Sequence, residues 1–595
     1  MSWLEQMGAV EVICNDDLGK ESGSMISTRQ IRIVIVGGVA GGASAAARAR
    51  RLNESAHIVL FERGPHASFA NCGLPYYLGG EISDRNHLLV ADPEMLEGWL
   101  NLDVRTRTEV VAIDRIAKEV EVHNIATDRR YREPFDFLIL STGAAPLRPT
   151  NLLAKVGLNH PRVLSLRNLE DIDRLKAIVD SGIRTATVLG GGFIGVEVAE
   201  QLVHRGVTTT LVEKNPQVLP PFDAEMVVPI EQALVERGVA LYLSDGVVEL
   251  EPEVNGRGIR AILADGRTLT GDLVVLAIGV QPESILAKTA GIEINDRGAI
   301  KVNAYLQTND PNIYAVGDVI EVPDPILGGS TYIPLAGPAN RQGRLAADHI
   351  VARVRGEDGV VPLHRGSQGS AIVRVFDLTA AMTGKSEKAL QRSGKERHRD
   401  YEVIYVHPFQ HAHYYPGAKR LTIKLIFETS SGRILGAQAV GEEAVDKRID
   451  VLAMAIQMGA TVFDLEQAEL CYSPQYGSAK DAINLAGFQA SNVLRGSTIP
   501  ITPAELRAAL ETATPPVVVD VRSSVEFDKE HIPGAINIPL PELRTRMGEV
   551  PTDRPAVTYC AIGQRGYIAE RLLRQQGVTG VRNLTGGFAS WQGLV

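Results

Sequence analysis

The sequence is poor in cysteine and has no excess of basic charge. Its 595 residues include four cysteines, namely Cys14, Cys72, Cys471 and Cys560. They lie far apart and form no Cys-x-x-Cys pair, which excludes a disulfide framework and a structural zinc site. We therefore predict no metal site and expect any important cysteine to act alone. Asp and Glu outnumber Lys and Arg by 71 to 61, which gives a net charge of −10, so no binding of nucleic acid is expected.

Long apolar runs are also absent. No purely apolar run reaches the length of about 18 residues that indicates a membrane-spanning helix. The nearest run, residues 33–47, is rich in Gly and Ala and is typical of a strand, a turn and a helix. Residues 1–30 lack the basic region and apolar block of a secretory signal and are interpreted as an extension without a role in the fold. We expect a cytoplasmic protein that does not bind membranes.

The composition that remains is that of an ordinary globular protein. The chain is 45% hydrophobic and 22% charged, with 57 Gly and 31 Pro. Its length corresponds to about four domains of average size.

Two segments share one order of strand, glycine loop, helix, strand and acid. The first runs from a strand at 31–36 through the loop 37–42 and a helix to Leu52 to the strand 57–61, which ends at Glu62. The second runs from 185–189 through the loop 190–195 and a helix through Val203 to the strand 208–212, which ends at Glu213. Such glycines let the backbone approach a pyrophosphate at a helix N-terminus, and the acid accepts hydrogen bonds from ribose hydroxyls. The pattern predicts two dinucleotide-binding units, although Val39 replaces the middle glycine of the first loop.

Three further glycine turns follow apolar strands, at Gly143, Gly279 and Gly317-Asp318. With them, the layout resembles the flavin disulfide reductases, in which the first unit holds FAD and an inserted second unit holds NAD(P)H. The resemblance assigns to FAD the residues Gly37, Gly41, Gly42, Glu62, Arg63, Thr142, Gly143, Gly317 and Asp318. It assigns to NAD(P)H the residues Gly190, Gly192, Gly195, Glu213 and Gly279. A helix N-cap is the simpler interpretation of Asp318.

Cys72 lies in Ser-Phe-Ala-Asn-Cys-Gly-Leu-Pro-Tyr-Tyr, and Tyr77 stands where many flavin disulfide reductases have a second cysteine. An isolated cysteine is often a buried small hydrophobe. Without a nearby resolving thiol, Cys72 stores two electrons only by pairing with an external thiol or by forming a sulfenic acid. The motif resembles the coenzyme A-disulfide reductases, which use CoA as the partner thiol, and the resemblance covers about residues 31–489.

That resemblance implies further site residues. It makes Cys72 and Asn71 catalytic and brings Tyr414 and Tyr472 from the opposite subunit of a homodimer into the active site. Aromatic core packing is the alternative for the two tyrosines. The matching CoA region contains Ser44, Arg48, Arg51 and Ser68, where an arginine is able to pair with a phosphate. A solvated helix face is the alternative for each arginine.

Cys560 follows an apolar strand and opens the loop Cys-Ala-Ile-Gly-Gln-Arg, with a helix expected from Gly566. A thiol in such a loop faces converging N–H groups, which stabilise an anionic sulfur such as a persulfide. A buried cysteine at a strand end is the alternative. The block resembles a rhodanese domain, which implies that Cys560 carries sulfane sulfur and that Arg565 closes the loop.

These assignments predict an α/β protein with two Rossmann-like units for FAD and NAD(P)H, an α+β dimerisation domain and a C-terminal α/β rhodanese domain. The predicted boundaries are an extension at 1–30, an FAD-binding domain at 31–150 and 280–355, an NAD(P)H-binding domain at 151–279, a dimerisation domain at 356–490, a linker at 491–503 and a rhodanese domain at 504–595.

The predicted function is NAD(P)H- and FAD-dependent reduction of CoA persulfide or polysulfide to sulfide. Electrons pass through FAD to a disulfide between Cys72 and CoA, and Cys560 shuttles sulfane sulfur. Glu213 favours NADH because a carboxylate repels a 2′-phosphate, whereas Lys214 keeps NADPH possible. The alternatives are CoA-disulfide reduction, a water-forming NADH oxidase or peroxidase that uses a Cys72 sulfenic acid, and a non-enzymatic protein for sulfur trafficking or sensing. The partners are small thiols and persulfides.

Overall fold

The computed structural model of the chain describes residues 30–253 and 258–593. Within these ranges, four five-stranded sheets organise the chain. The predicted N-terminal extension, except Gln30, lies outside the described residues, and so does Cys14.

The first sheet is parallel and carries the first glycine loop. Its strand order is Ile313–Ala315, Phe137–Leu140, Arg32–Val36, His57–Phe61 and Asp103–Arg105. The strand Arg32–Val36 is central, so the loop after it opens where the strand order reverses, which is where open α/β sheets bind ligands. Residues 33–36 of this strand are apolar because they are buried in a core that includes residues of the helix Ala40–Leu52 and of the strand Glu119–Asn124.

The helices of this first unit are Ala40–Leu52, Leu74–Gly79, Pro93–Leu100, Ile285–Thr289 and Ala336–Arg355, with 3-10 turns at Asn71–Gly73, Arg85–Leu88 and Asp358–Val360. Its smaller sheets pair Thr108–Asp114, Glu119–Asn124 and Arg129–Pro134, then Ser68–Phe69 with Leu89–Ala91, and Val322–Pro323 with Ser330–Thr331. Two of the helices meet at glycines, because a Cβ on Gly343 would lie 2.1 Å from the carbonyl oxygen of Gly41.

The second unit repeats this construction. Its parallel sheet has the order Val163–Ser165, Leu273–Leu276, Thr185–Leu189, Thr208–Val212 and Ala240–Tyr242. Its helices are Leu169–Asp180, Phe193–His204 and Ala224–Glu236, and its antiparallel sheet is Val247–Pro252, Ile259–Leu263 and Thr268–Gly271. The strands Ala144–Pro146 and Val280–Pro282 pair where the chain enters and leaves this unit.

The third unit is an antiparallel sheet covered by helices. Its strand order is Ala371–Val375, Leu378–Gly384, Ile434–Gly441, Leu421–Glu428 and Tyr401–Val406. Its helices are Glu387–Arg392, Val445–Gln457, Val462–Gln467 and Ala482–Leu494.

The fourth unit is again parallel, in the order Pro500–Ile501, Val581–Leu584, Ala556–Tyr559, Val517–Asp520 and Ile536–Asn537. Its helices are Pro503–Leu510, Ser524–Lys529, Leu543–Arg546, Gln564–Gln575 and Gly587–Trp591, with a 3-10 turn at Met547–Glu549. Together the four units confirm the predicted fold class.

The segment predicted as a linker is partly built into these units. Residues 491–494 end the helix Ala482–Leu494, and Pro500–Ile501 forms the edge strand of the fourth sheet. Thr498 is buried and donates a hydrogen bond to the Glu570 carboxylate, and the Ile499 amide donates to the same group at 2.8 Å. The Pro and Thr residues that suggested a linker therefore occur at an edge strand, where a proline removes no ladder hydrogen bond.

Polar contacts attach the fourth unit to the third. The strand Tyr401–Val406 lies at the edge of its sheet, and the Tyr405 amide donates to the Thr585 hydroxyl at 2.9 Å. The His407 ring hydrogen-bonds the Ser590 hydroxyl at 2.8 Å. The fourth unit thus satisfies an edge amide that would otherwise need water or another strand.

A buried ammonium group joins the second and third units. Lys424 is 1% exposed, and its Nζ lies 2.9 Å from Asp223, 2.6 Å from Glu225 and 2.8 Å from Glu387. These three carboxylates are close enough together to hold a metal ion, and the Lys424 ammonium supplies the positive charge there. No helix among the described residues combines the length and the apolar character needed to cross a membrane.

We predict that Lys424→Met destabilises the protein by about 3–5 kcal/mol, because it leaves the buried Asp223 carboxylate next to Glu225 and Glu387 without its counter-charge. Thermal unfolding by calorimetry measures the effect. The matched control is Lys419→Met, which removes an exposed lysine 3.1 Å from Glu442 and should cost less than about 1 kcal/mol. Equal unfolding midpoints for the two variants would contradict this account of the cluster.

Candidate active site

The two glycine loops are built in the same way. Gly37 has φ +96°, and a Cβ there would lie 2.2 Å from the Ser141 carbonyl oxygen; Gly190 has φ +105°, and a Cβ would lie 2.3 Å from the Ala277 carbonyl oxygen. The last glycine of each loop, Gly42 or Gly195, would place a Cβ 1.8 Å from the carbonyl oxygen of the first. Only glycine fits these four positions, and each loop presents backbone N–H groups at a helix start, as pyrophosphate binding requires.

Val39 stands at the middle position of the first loop. Its φ is −72°, and so is the φ of Gly192, its counterpart in the second loop. The φ at this position is therefore not one that favours glycine, unlike the positive φ of Gly37 and Gly190.

The acid that follows the second strand of each unit accepts hydrogen bonds from the glycine loop of that unit. The Glu62 carboxylate accepts from the Gly38 amide at 3.0 Å and from the Gly64 amide at 2.8 Å. The Glu213 carboxylate accepts from the Gly191 amide at 2.6 Å and from the Asn215 amide at 2.8 Å. Both carboxylates therefore lie beside the glycine loop of their own unit, where a nucleotide ribose would lie.

One cavity of about 2100 Å³ extends between the two units. Pockets for single small ligands usually measure about 300–1,000 Å³, so this one has room for two dinucleotides. Among the predicted FAD and NAD(P)H residues, its lining includes Gly37, Gly41, Glu62, Arg63, Thr142, Gly143, Gly192, Gly279, Gly317 and Asp318. Four of the predicted residues do not line the cavity and instead fix the shape of the glycine loops, namely Gly42, Gly190, Gly195 and Glu213. The loops, the acids and the cavity thus fit FAD and NAD(P)H.

Two of the predicted flavin residues have specific surroundings. Arg63 forms an ion pair with Glu283 at 2.8 Å, and Arg167 reaches the same carboxylate at 3.0 Å. Asp318 lies after the strand Ile313–Ala315, and no helix begins there, because the next helix begins at Ala336. Asp318 is therefore not a helix N-cap, and burial raises the pKa of its carboxyl group.

Cys72 lies open to this cavity beside Asn71. It belongs to the 3-10 turn Asn71–Gly73, which leads into the helix Leu74–Gly79. Its Sγ lies 3.7 Å from the Asn71 Oδ1. Tyr77, five positions on, packs under the Lys176 ammonium. The three cysteines of the described ranges are free thiols.

Carboxylates act on this thiol from two units. The surrounding walls raise the pKa of Cys72 by partial desolvation, and the charges of Glu197 and Asp318 raise it further. Glu197 lines the cavity from the helix Phe193–His204, and its carboxylate accepts a hydrogen bond from the Tyr76 hydroxyl at 3.0 Å. Burial raises the pKa of Glu197 to about 7. The sequence analysis missed Glu197, because no motif marks it and its partner is 121 residues away.

The predicted CoA residues are only partly free. The Ser44 hydroxyl donates to Asn340 at 2.6 Å, and the Arg48 guanidinium pairs with Asp348 at 2.5 Å. Ser68 is buried, whereas Arg51 is exposed. The helix Ala336–Arg355 adds two exposed arginines that the sequence analysis missed, Arg341 and Arg344. Neither pairs with another residue of the described ranges.

Tyr414 and Tyr472 meet at the surface of the third unit. Their hydroxyl groups lie 2.9 Å apart, and the residues are 66% and 48% exposed. The hydrogen bond to Tyr472 raises the pKa of Tyr414. Neither tyrosine lines the cavity around Cys72 of the same chain. Such exposure does not fit the alternative of aromatic core packing.

Cys560 occupies a separate site in the fourth unit. It is 1% exposed, at the end of the strand Ala556–Tyr559. Its carbonyl oxygen accepts from the Phe588 amide at 2.7 Å, and a Cβ on Gly587 would lie 2.3 Å from that oxygen. The helix after the loop begins at Gln564, two residues before the predicted Gly566, because Gly563 reaches φ +100° and turns the chain early. The loop is therefore short and closely backed by protein.

Arg565, the last residue of this loop, is the second residue of the helix Gln564–Gln575. Its guanidinium forms two hydrogen bonds to Glu526, at 2.9 and 2.7 Å. These hydrogen bonds, and next the charge of Cys560, raise the pKa of Arg565. The paired dinucleotide units and the second thiol site are typical of an oxidoreductase with an additional thiol-bearing domain.

Comparison with known proteins places the chain in a family. The profile "Pyridine nucleotide-disulphide oxidoreductase" matches residues 31–343, the dimerisation domain of that family matches residues 370–482, and a rhodanese-like domain matches residues 502–594. The chain belongs to the pyridine nucleotide-disulphide oxidoreductase family. Membership implies FAD and NAD(P)H as cofactors and confirms the predicted class of enzyme, a flavin-dependent oxidoreductase that carries a rhodanese domain.

Three relatives define the similarity further. The Coenzyme A disulfide reductase of Staphylococcus aureus strain RF122 is 35% identical over 460 residues, which is 77% of this chain and 99% of the relative. The structure of reduced Bacillus anthracis CoADR-RHD is 46% identical, with a TM-score of 0.89, over 95% of this chain and 98% of that one. The NAD-dependent persulfide reductase from A. fulgidus is 35% identical, with a TM-score of 0.84, over 94% of this chain and 100% of that one. Together they support a reductase of disulfides or persulfides.

We predict that Glu197→Gln lowers the pKa of the Cys72 thiol. Above about pH 7 the Glu197 carboxylate is charged and opposes formation of the thiolate, so its removal increases the thiolate fraction; below that pH the two proteins should converge. Alkylation of the reduced enzyme by iodoacetamide across pH, read at the Cys72 peptide by mass spectrometry, measures this.

The control is Glu170→Gln, since the Glu170 side chain lines the same cavity but does not raise the pKa of Cys72. A pH profile for Glu197→Gln that coincides with the profile of this control would show that Glu197 does not act on the thiol.

Proposed function

We propose that the enzyme reduces CoA persulfide or polysulfide to sulfide with electrons from NADH, and that Cys560 delivers sulfane sulfur. The observation that supports this most is a lone accessible thiol, Cys72, in a cavity that joins two dinucleotide loops. With Tyr77 at the position of a second cysteine, Cys72 has a diffusible thiol or a sulfenic acid as its oxidised state, and the proposal takes the diffusible thiol. The C-terminal site adds a second thiol suited to persulfide chemistry.

The exposed arginines suit CoA as that thiol. Arg51, Arg341 and Arg344 lie on the two helices that meet at Gly41 and Gly343. Their three positive charges suit the phosphates of CoA. Arg48 is less suited to bind a CoA phosphate, because Asp348 already neutralises its charge.

A homodimer completes the site in this proposal. Tyr414 and Tyr472 are exposed on the unit that matches a dimerisation domain, and their paired hydroxyls are ready hydrogen-bond donors. In a dimer they would reach the Cys72 site of the partner and donate to the departing sulfur. The cytoplasm suits the enzyme, since free thiols are kept reduced there.

The reaction then proceeds in two balanced steps. The Cys72 thiolate attacks the CoA sulfur of the persulfide, a Cys72–CoA disulfide forms, and the terminal sulfur leaves as HS⁻ with the bonding electron pair. The first glycine loop and Glu62 would hold FAD, which would supply the two-electron reduction of this disulfide with NADH as the electron source. This reduction regenerates the Cys72 thiolate and releases CoA. Glu197, with a pKa near 7, is placed to take up or supply a proton beside Cys72. The sum is CoA-SSH plus NADH to CoA-SH, HS⁻ and NAD⁺.

Reduction of CoA disulfide is a second candidate, because Staphylococcus enzymes 35% identical to this chain carry that name. It uses the same Cys72–CoA disulfide and differs in the leaving group, which is a second CoA thiolate instead of sulfide.

We predict that Cys72→Ser abolishes NADH-dependent sulfide release from CoA persulfide, because serine forms no disulfide with CoA. Cys560→Ser should retain this activity and lose activity only with donors that need the carrier domain. Anaerobic assays with CoA persulfide, CoA disulfide and thiosulfate, run in parallel, separate the candidates.

Cys471→Ser is the control for loss of an exposed thiol. Wild-type turnover by Cys72→Ser would defeat the mechanism. Reduction of CoA disulfide without sulfide release from the persulfide would favour the second candidate.

We also predict that Glu213→Gln lowers kcat/KM for NADH by about tenfold or more, because a hydrogen bond from a ribose hydroxyl to a charged acceptor is lost. The kcat/KM for NADPH should rise, since repulsion of the 2′-phosphate is removed. Steady-state kinetics with both nucleotides test this, with the exposed Glu236→Gln as control. An unchanged NADH to NADPH ratio would exclude Glu213 from cofactor choice.

A further inference from the structure

The ion pair between Arg565 and Glu526 lies at the end of the Cys560 loop, because Arg565 is the last residue of Cys-Ala-Ile-Gly-Gln-Arg. It is bidentate, and the two side chains are 38% and 36% exposed. Arg565 is five residues from Cys560, at the end of the same loop, and the charge of Cys560 acts on its guanidinium. An anion that approaches Cys560 therefore meets a guanidinium that already holds a carboxylate.

Glu526 has a second attachment that fixes its position. Its carboxylate accepts from the Ser523 amide at 3.1 Å and the Ser523 hydroxyl at 3.0 Å, and its own amide donates to that hydroxyl at 3.3 Å. This capping box begins the helix Ser524–Lys529. Because glutamine also forms a capping box, Glu526→Gln keeps this attachment and removes the charge.

We propose that Glu526 is a built-in competitor for Arg565, so that the Cys560 site discriminates against small dianionic sulfur donors such as thiosulfate and favours persulfides of thiols. The inference rests on the proposed role of Cys560 as a sulfur carrier and adds a determinant of donor choice. Hydrogen bonds from Arg565 lower the pKa of Glu526 to about 2, so the competing charge is present throughout the physiological pH range.

The step that Glu526 controls is the loading of Cys560. The Cys560 thiolate attacks the sulfane sulfur of the donor, and a new S–S bond forms. The bond between the sulfane sulfur and the rest of the donor breaks, and the donor leaves with the electron pair, as sulfite from thiosulfate or as a thiolate from a persulfide. Thiosulfate brings two negative charges to the loop and gains most from a free guanidinium. An alkyl persulfide brings at most one.

The size of the effect follows from the exposure of the pair. Exposed ion pairs contribute little to stability, and the cost of opening this one corresponds to a factor of about two to five. Glu526→Gln should therefore raise kcat/KM for thiosulfate by about two- to fivefold, mainly through KM. It should leave kcat/KM for the uncharged-chain donor 2-hydroxyethyl persulfide unchanged.

The experiment uses the full-length holoenzyme in a sulfurtransferase assay with cyanide, which takes the sulfur from loaded Cys560 as thiocyanate. The variants are Glu526→Gln, Cys560→Ser and the matched control Glu549→Gln. Glu549 makes an equally bidentate pair with Arg546 at 2.7 Å, on the surface of the same domain, so the control changes net charge equally. It should behave as wild type.

A second measurement does not depend on sulfur transfer. The alkylation rates of Cys560 by anionic iodoacetate and neutral iodoacetamide are compared by peptide mass spectrometry, and Glu526→Gln should raise their ratio. The inference is overturned if Glu526→Gln changes neither the ratio of kcat/KM for thiosulfate to kcat/KM for 2-hydroxyethyl persulfide nor the ratio of the two alkylation rates. It is also overturned if kcat/KM falls equally for both donors. If Cys560→Ser transfers sulfur as well as wild type, the proposed carrier role fails, and the alkylation ratio alone then decides the role of Glu526.

Discussion

The close approach of backbone to backbone at two glycine loops is the constraint on which the rest of the structure depends. Gly37 and Gly190 each lie against a carbonyl oxygen of the neighbouring strand end, at distances that leave no room for a Cβ. This contact turns the chain sharply from strand into helix, and the acid at the next strand end then reaches the loop amide. Cavity, cofactor loops and the position of Cys72 all follow from two copies of this turn facing one another.

The sequence allowed the prediction of features whose residues lie close together in the chain. Each strand, glycine loop, helix and acid falls within about 30 residues, which is the usual length of such a unit. The predicted strands at 57–61, 185–189 and 208–212 agree with the structure for this reason. The helix after Cys560 begins two residues early because the left-handed turn at Gly563 was not anticipated.

Contacts between distant residues were not predictable in this way. Arg48 looked free for a phosphate, but Asp348, 300 residues further on, pairs with it. Glu197 reaches Tyr76 across 121 residues, and Lys424 reaches Glu225 across 199. No local pattern records such pairs, because each depends on how two units pack. The electrostatics of the candidate site are therefore properties of the assembled chain.

The two thiols lie in opposite electrostatic surroundings. Cys72 is flanked by the carboxylates of Glu197 and Asp318, and their charges penalise a thiolate there. An uncharged disulfide with CoA escapes that penalty, so the surroundings favour the oxidised, bonded state that accepts two electrons in the proposed reaction. Cys560 instead shares its loop with the guanidinium of Arg565. In the proposed reaction the first thiol forms a covalent bond with a carrier, and the second holds sulfur next to a positive charge before passing it on.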